Sequence, residues 1–181
     1  IVDRRDDAIT PCLQQWTYQA MVHELVGIEH GRVNLSNTVD GKKIPRATFS
    51  AAADEFLAEH AYATWNDVLD GHAALLRRYK QLKALQDSHV KATLADMRRF
   101  VEGYAAFRAL QTATETHTVV VREIDRQFKA RHLLGGGGSE SVFSDQAALI
   151  YGGGHSAHWK VVLRAAAHDS SYKAEDRLRL A

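Results

Sequence analysis

Two long apolar stripes with helical spacing constrain this chain more than any other feature. Within residues 65–85, and again within residues 94–128, apolar side chains recur every three or four positions, which places them on one face of an α-helix. No proline follows Pro45, so no residue forces either helix to break. At about 1.5 Å per residue, the two helices would be about 35 and 50 Å long. The polar stretch over residues 86–93 predicts a turn, and the whole region therefore predicts a long antiparallel helical hairpin.

Shorter elements are predicted before the hairpin. Thr10 and Pro11 suit the start of a helix, and apolar residues keep mostly helical spacing from Cys12 to Gly27. A turn-rich connector follows, in which residues 32–35 and 47–49 predict short strands joined by a turn at Asp40-Gly41. Asp54 and Glu55 then predict the start of a short helix.

The two ends of the chain predict less regular structure. Ile1 and Val2 resemble the end of a buried strand, and Gly135 to Gly138 predict a flexible linker. Residues 146–151 are weakly helical, and residues 172–181 predict a helix that is cut in mid-course. We therefore expect a piece of a longer protein. Its fold class is mainly α: a long antiparallel helical hairpin with a small α/β remnant at the N-terminus.

Composition excludes several classes of function. Among the 181 residues, 23 Lys and Arg balance 22 Asp and Glu, so the chain lacks the basic footprint of a dedicated nucleic-acid binder. Cys12 is the single cysteine, which excludes an internal disulfide and fits a reducing cytosol. No run approaches the roughly 18 apolar residues of a membrane-spanning helix, and no signal peptide is visible.

Patterns that carry enzyme chemistry are incomplete. His23-Glu24 begins the zinc-protease pattern His-Glu-x-x-His, but Gly27 stands where the second histidine belongs. The glycine run at residues 135–138 lacks the Gly-Lys-Ser/Thr ending of a phosphate-binding loop. We expect no metal and no cofactor.

Two further groups leave an alternative open. His155, His158 and His168 could share a helix face as metal ligands, although no second pair of ligands accompanies them. Asp3, Asp6 and Asp7 could form an acidic metal site of an α/β enzyme at the end of a strand. Arg4 and Arg5 interleave these aspartates and can neutralise them, which favours a structural role.

The far end of the hairpin is the predicted binding region. A projection of two helices cannot bury all of its apolar side chains, and little else in the chain could cover its tip. An exposed apolar strip beside charged residues suits the docking of a third amphipathic helix. The residues that crowd towards this end are Tyr79, Leu82, Leu85, Met97, Val101 and Tyr104.

A resemblance to a known family rests on the N-terminal segment. Asp3, Arg4, Asp7, Thr10-Pro11, the unbroken run from Trp16 to Glu24, and then Leu25, Gly27 and Ile28 resemble the central signature of the SM (Sec/Munc-type, syntaxin-binding) family. Within that family the segment is most similar to the vacuolar-protein-sorting branch of traffic between trans-Golgi and endosomes. The resemblance covers residues 1 to about 134 well and the remainder loosely.

This resemblance implies an organisation and a function. Residues 1–30 would end the α/β second domain, and residues 31–134 would be the helical-hairpin part of the third domain. Residues 135–158 would be a glycine-rich insertion, followed by C-terminal helices over 159–181. The chain would bind syntaxin-type and vesicle-side SNARE helices and template their assembly, without enzymatic activity. It would be cytoplasmic, and it would reach Golgi and endosomal membranes only through SNAREs.

The predicted partner-facing residues lie on both arms of the hairpin. Phe107, Leu110, His117 and Val121 are instead expected to hold the arms together. Family members often carry a proline in the second arm where this chain has Ala105, which predicts a continuous helix and makes Ala105 the candidate conformational hinge. The partner-facing set is Tyr79, Leu82, Leu85, Val101, Tyr104, Arg108, Gln111 and Thr118.

Overall fold

The computed structural model describes residues 14–35, 47–88, 94–134, 141–151 and 174. The chain divides into two compact units: Trp16–Ile124, and Ile1–Gln15 together with Asp125–Ala181. Several predictions lie outside the described residues. They are the strand at Ile1-Val2, the acidic group at Asp3, Asp6 and Asp7, the helix start at Thr10-Pro11, the turn at Asp40-Gly41, the linker at Gly135–Gly138, the histidines His155, His158 and His168, and all but residue 174 of the helix over 172–181.

The first helix is shorter than its sequence predicts. Helix α1 covers Tyr18–Met21 and continues as a π-helix over Val22–Gly27, where Gly27 ends it with φ +95°. Residues 14–17 are not helical, which corrects the predicted helix over that stretch. The reason is long-range: the Tyr18 and Gln19 amides donate to the carbonyls of Ala63 (3.2 Å) and Ala61 (2.9 Å). These partners satisfy the first helical N–H groups, which would otherwise be orphans.

A small antiparallel sheet follows. Strands β1 (Ile28–Glu29), β2 (Arg32–Val33) and β3 (Ala47–Thr48) pair in that order. The predicted strands near residues 32 and 47 are confirmed, whereas β1 was not predicted. The turn between β1 and β2 consists of His30 (φ +50°) and Gly31 (φ +69°), and two positive φ angles are what a type I′ hairpin requires.

Helix α2 (Glu55–His60) begins where the sequence predicts. The Asp54 side chain accepts a hydrogen bond from the Leu57 amide at 3.1 Å, which caps the helix N-terminus. At the other end, the His60 ring stacks on Phe56 at a centroid distance of 4.3 Å. The Cβ that any other residue would carry at Gly71 would collide with this His60 ring, so a glycine on α3 lets the two helices pack closely.

The two predicted arms are present as long helices. Helix α3 covers Trp65–Ser88 and helix α4 covers Leu94–Ala130. The α3 helix runs three residues into the stretch predicted as a turn, because nothing in residues 86–88 breaks a helix. Over its 37 residues α4 is uninterrupted, which confirms the continuous second arm predicted from Ala105.

The core of the Trp16–Ile124 unit lies at the base of the hairpin. Tyr18 from α1, Phe49 after β3 and Phe56 from α2 surround His117 of α4, with ring centroids 4.5–5.9 Å from the histidine ring. Other fully buried residues of this unit are Met21, Val22, Val33, Leu35, Val68, Val120 and Ile124.

The second unit contains the end of α4 and helix α5 (Val142–Tyr151). Helix α5 begins four residues before the predicted helical stretch, because Ser141 and Ser144 exchange backbone-to-hydroxyl hydrogen bonds of 3.1 Å across its first turn. The amides of Val142 and Phe143 donate to the carbonyls of His132 and Leu133.

Candidate partner-binding site

Two side-chain contacts set the register of the hairpin. Near the base, His72 Nε2 lies 3.0 Å from Thr118 Oγ1. Nearer the tip, the rings of Tyr79 and Phe107 stack with their centroids 5.8 Å apart. From the first contact to the second, the residue number rises from 72 to 79 on α3 and falls from 118 to 107 on α4. The arms are therefore antiparallel.

A buried chain of hydrogen bonds holds α4 at the base. Tyr18 Oη lies 2.6 Å from His117 Nδ1, and His117 Nε2 lies 3.0 Å from Asp54 Oδ2. Tyr18 and His117 are fully buried, and Asp54 is mostly buried. The chain joins α1, the start of α2 and the middle of α4, which are 63 and 99 residues apart in sequence. Asp54 therefore serves two elements, since its other oxygen caps α2.

The ionisation of this chain follows from its contacts. Burial raises the pKa of Asp54, but the hydrogen bond from His117, the positive charge of that ring when protonated, and the amides of Leu57 and Phe56 outweigh burial, so the pKa lies below its usual 3.8. Burial, and to a lesser degree the Asp54 carboxylate, raises the pKa of Tyr18 far above its usual value. At neutral pH the chain therefore contains a carboxylate and a protonated phenol.

The neighbouring contact between the arms is also a histidine contact. His72 is half-buried, and burial lowers its pKa below 6.5, with further lowering by His117 and Arg122. A neutral His72 is thus favoured where α3 meets α4.

A groove of about 800 Å³ lies in this unit, along the hairpin between its base and the stacked Tyr79 and Phe107. Helix α4 contributes much of the lining of the groove, and small residues recur in this lining at positions 106, 109, 113 and 116. Spacings of three and four residues place these side chains on one helix face. Leu75 of α3 and Phe56 of α2 also line the groove.

Charged side chains also line this groove and form its rim: Glu55, Arg78, Arg108 and Glu115. On α4, Arg108 Nη1 donates to Gln111 Oε1 at 2.8 Å, and Gln111 Nε2 donates to Glu115 Oε1 at 2.9 Å. Arg78 of α3 lies 3.5 Å from Glu55 of α2. This rim is solvent-exposed and carries charges of both signs, so the polar groups of an amphipathic ligand, whether positive or negative, can find an opposite charge there.

The tip of the hairpin exposes apolar side chains on both arms. On α3, Leu82 is 38% and Leu85 56% exposed; on α4, Val101 is 71% and Tyr104 46% exposed. The structure therefore brings these four predicted residues to the surface of the same end of the hairpin.

The other predicted residues take different positions. Tyr79 and Thr118 lie between the arms, in the two contacts that set the register. Arg108 lines the groove and is hydrogen-bonded to Gln111. Ala105 is exposed within the unbroken α4 helix.

Of the residues expected to hold the arms together, His117 and Val121 are buried, and Phe107 and Leu110 are half-buried. The groove itself was not predicted from the sequence. The recurrence of small residues at 106, 109 and 113 is the signal that could have indicated it.

This surface combines exposed apolar side chains at the tip with charged side chains along the groove. Among the residues that the structure describes, no group of three or more His, Cys, Asp and Glu side chains is placed to hold a metal ion. Within the same ranges, no helix is long and apolar enough to cross a membrane.

Comparisons with known proteins place the chain in a family. The Sec1 family model matches residues 1–181. Human vacuolar protein sorting-associated protein 45 is 38% identical over 135 residues, which is 74% of this chain and 24% of that protein. Its Arabidopsis thaliana homologue is 30% identical over 182 residues, which is 99% of this chain and 30% of that protein.

Solved structures agree with these relatives. The SM protein Vps45 in complex with the Qa SNARE Tlg2 is 31% identical to this chain, with a TM-score of 0.77 over 98% of this chain and 30% of that one. A structure of the SM protein Vps45 alone gives a TM-score of 0.74 at 26% identity.

The helical hairpin and the matched signature thus belong to one class of protein. This chain is a member of the Sec1 family. It spans about a quarter to a third of the length of the curated relatives that it matches.

Proposed function

We propose that this chain is part of a regulator of SNARE-mediated vesicle docking and fusion, and that its hairpin binds SNARE helices. The observation that carries the proposal is the long hairpin, with an exposed apolar tip on both arms and a charged-rimmed groove below it. Membership of the Sec1 family supports it, as does the likeness to Vps45 in complex with the Qa SNARE Tlg2.

The surface suits a helix more than a compact ligand. Leu82, Val101 and Tyr104 project from helices that run alongside each other, and the groove continues along α4 towards the base. An amphipathic helix laid along α4 would bury its apolar stripe on the tip and pair its polar flanks with the rim. Syntaxin-type and vesicle-side SNARE motifs are helices of this kind, and templating their assembly is the specific role that we assign to the hairpin.

The continuous second arm is the form that we assign to binding. Ala105 lies in the 37-residue helix where a proline would remove a backbone hydrogen bond and bend the arm. We expect Ala105→Pro to shorten α4 and to weaken binding of the vesicle-side SNARE. Unchanged affinity in a variant with a shortened helix would contradict this role.

The proposed role involves no covalent chemistry and no cofactor. The chain would act at Golgi and endosomal membranes, which it would reach through SNARE proteins. This location follows the vacuolar-protein-sorting relatives and is part of the same proposal.

A binding titration tests the proposal. The chain is titrated with syntaxin-type and vesicle-side SNARE motifs, and scrambled helices of the same composition serve as ligand controls. Leu82→Asp places a charge on the tip and should reduce affinity at least tenfold. Leu69→Asp is the matched control, because Leu69 lies on the same helix, nearer the base, with nearly the same exposure (39% against 38%).

The outcomes separate the alternatives. Saturable binding that Leu82→Asp removes and Leu69→Asp retains supports a partner surface at the tip. Equal loss in both variants, or no binding by the helical chain, contradicts it. Loss of helicity in Leu82→Asp would instead assign Leu82 to the interior of the hairpin.

A further inference from the structure

The buried chain at the hairpin base restricts the proton positions on His117. The Asp54 carboxylate is ionised and can only accept hydrogen bonds. One of its oxygens already accepts from the Leu57 amide, and the other lies 3.0 Å from His117 Nε2. The Nε2 atom must therefore carry a proton and donate it to Asp54.

The opposite side of the imidazole is restricted as well. The Tyr18 hydroxyl is protonated and lies 2.6 Å from His117 Nδ1. If Nδ1 also carried a proton, the hydroxyl would have to direct its own proton elsewhere. Tyr18 is fully buried, and within the described residues its hydroxyl has no hydrogen-bond partner other than His117. An unprotonated Nδ1 that accepts the Tyr18 hydroxyl proton gives a hydrogen-bond partner to the hydroxyl, to both ring nitrogens and to the Asp54 carboxylate.

We propose that His117 is a positioning residue that holds helix α4 in one position through a single tautomer. In this tautomer Nε2–H donates a hydrogen bond to Asp54, and Nδ1 accepts one from the Tyr18 hydroxyl. The orientation of the hairpin tip depends on this position. This dependence of the tip on His117 rests on the proposed function, because the tip is the surface that would meet the SNARE helix.

Because α4 is long, a small change in its tilt at His117 displaces the tip by several ångströms. From His117 to Val101 the helix extends over 16 residues, or about 24 Å. A tilt of about 10° at His117 would therefore displace Val101 by about 4 Å, more than a well-packed contact tolerates. The adjacent residue, Thr118, fastens the same turn of α4 to His72 of α3. One turn of helix thus joins the second arm both to the base and to the first arm.

Tyr18 and Asp54 are joined through His117, which each of them contacts at a different ring nitrogen. Because the imidazole carries one proton, a change at Asp54 that moves this proton from Nε2 to Nδ1 also removes the acceptor of the Tyr18 hydroxyl. A change at Tyr18 likewise alters which nitrogen is protonated beside Asp54. Their effects on stability should therefore be non-additive. Two side chains that share no partner would give additive effects.

The first test is the tautomer itself. The chain is labelled with nitrogen-15, and the imidazole nitrogens of His117 are observed by NMR at neutral pH. We expect a protonated Nε2 and an unprotonated Nδ1 in the wild type and in Tyr79→Phe, a control in which another hydroxyl of the hairpin is removed. Asp54→Asn should add the Nδ1-protonated form, because the amide of asparagine can donate to Nε2. A wild-type ring with a proton on Nδ1 overturns the proposal.

The second test is a double-mutant cycle with Tyr18→Phe and Asp54→Asn. Asparagine keeps the helix cap and phenylalanine keeps the ring, so both variants preserve shape. We expect the two changes to deviate from additivity by about fivefold or more in the unfolding equilibrium constant. Additive effects would contradict the coupling through His117.

Affinity for a SNARE motif separates this proposal from the proposed function. Tyr18→Phe should weaken binding several-fold at unchanged helicity, although Tyr18 is fully buried. Unchanged affinity would refute the link to the tip. If the wild type binds no SNARE motif, the proposed function fails, while the tautomer and the cycle still decide the role of His117.

Discussion

The base and the tip of the hairpin are built in opposite ways. At the base, contacts join residues far apart in sequence, and polar groups such as Tyr18 and His117 are fully buried and bonded to each other. At the tip, helices α3 and α4 expose apolar side chains, and the exposed fraction reaches 71% at Val101. Helix α4 passes through both regions without a break.

This difference shows how one helix can serve two purposes. Polar side chains are buried where they fix the position of α4, and apolar side chains are exposed where a partner could cover them. The predictions below compare matched positions in the two regions.

The largest effect is expected at Asp54. Asp54→Ala removes the cap of α2 and leaves the buried His117 Nε2 without an acceptor, so the free energy of unfolding should fall by about 3 kcal/mol. Asp125→Ala is the control, because Asp125 forms an exposed pair with Lys129 and should cost at most about 0.5 kcal/mol. Denaturant titrations measure both, and similar losses would contradict the importance of the buried chain.

Valine truncation on α4 compares base and tip directly. Val120 is fully buried, and Val120→Ala should cost about 2–3 kcal/mol through lost burial and the cavity that remains. Val101→Ala should be neutral or slightly stabilising, since alanine has the higher helix propensity. Thermal and denaturant unfolding give the two values, and a large loss at Val101 would place that residue in a packed interior.

Two glycines should respond to the same substitution with opposite signs. A Cβ at Gly71 meets the His60 ring within 3 Å, and that ring is held by its stack on Phe56, so Gly71→Ala should destabilise by about 1–3 kcal/mol. No described atom lies within 4 Å of a Cβ at Gly103, so Gly103→Ala should stabilise α4 by up to about 1 kcal/mol. If both variants were stabilised, α2 would not pack closely on α3.

The smallest effect is a dependence of stability on pH. The pKa of His72 is lowered by folding, so the unfolded state binds the proton more tightly and stability decreases as the pH falls below about 6.5. The pKa of Asp54 is also lowered, so its stabilisation is present above 3.8 and is lost as the pH falls through the lower folded value. Unfolding at several pH values should show both steps. In His72→Gln the upper step should diminish, and an unchanged profile would contradict the assignment.

Much of the fold was predictable because it depends on local patterns. The apolar period of residues 65–85 and 94–128 indicated both arms, and Asp54 indicated the start of α2. The missed features depend on distant partners. Helix α1 begins at Tyr18 because Ala61 and Ala63 accept its first amides, and no local pattern shows such a contact.

The candidate site was predictable to a similar extent. Periodicity and the small size of the hairpin indicated exposed apolar residues at the tip, such as Leu85 and Val101. The bonds of His117 to Tyr18 and Asp54 link positions 99 and 63 residues apart, so spacing could indicate only that His117 faces the first arm. Two predicted partner residues, Tyr79 and Thr118, lie between the arms because the rotation of each helix depends on these long-range contacts.

Amide hydrogen exchange with and without a syntaxin-type SNARE motif tests the central claim most directly. Because the tip meets the partner and the base is already fixed, added protection should appear in residues 79–88 and 98–111. Residues 117–124, at the base, should exchange equally slowly in both states. Protection that appears first at the base and leaves the tip unchanged would contradict the account.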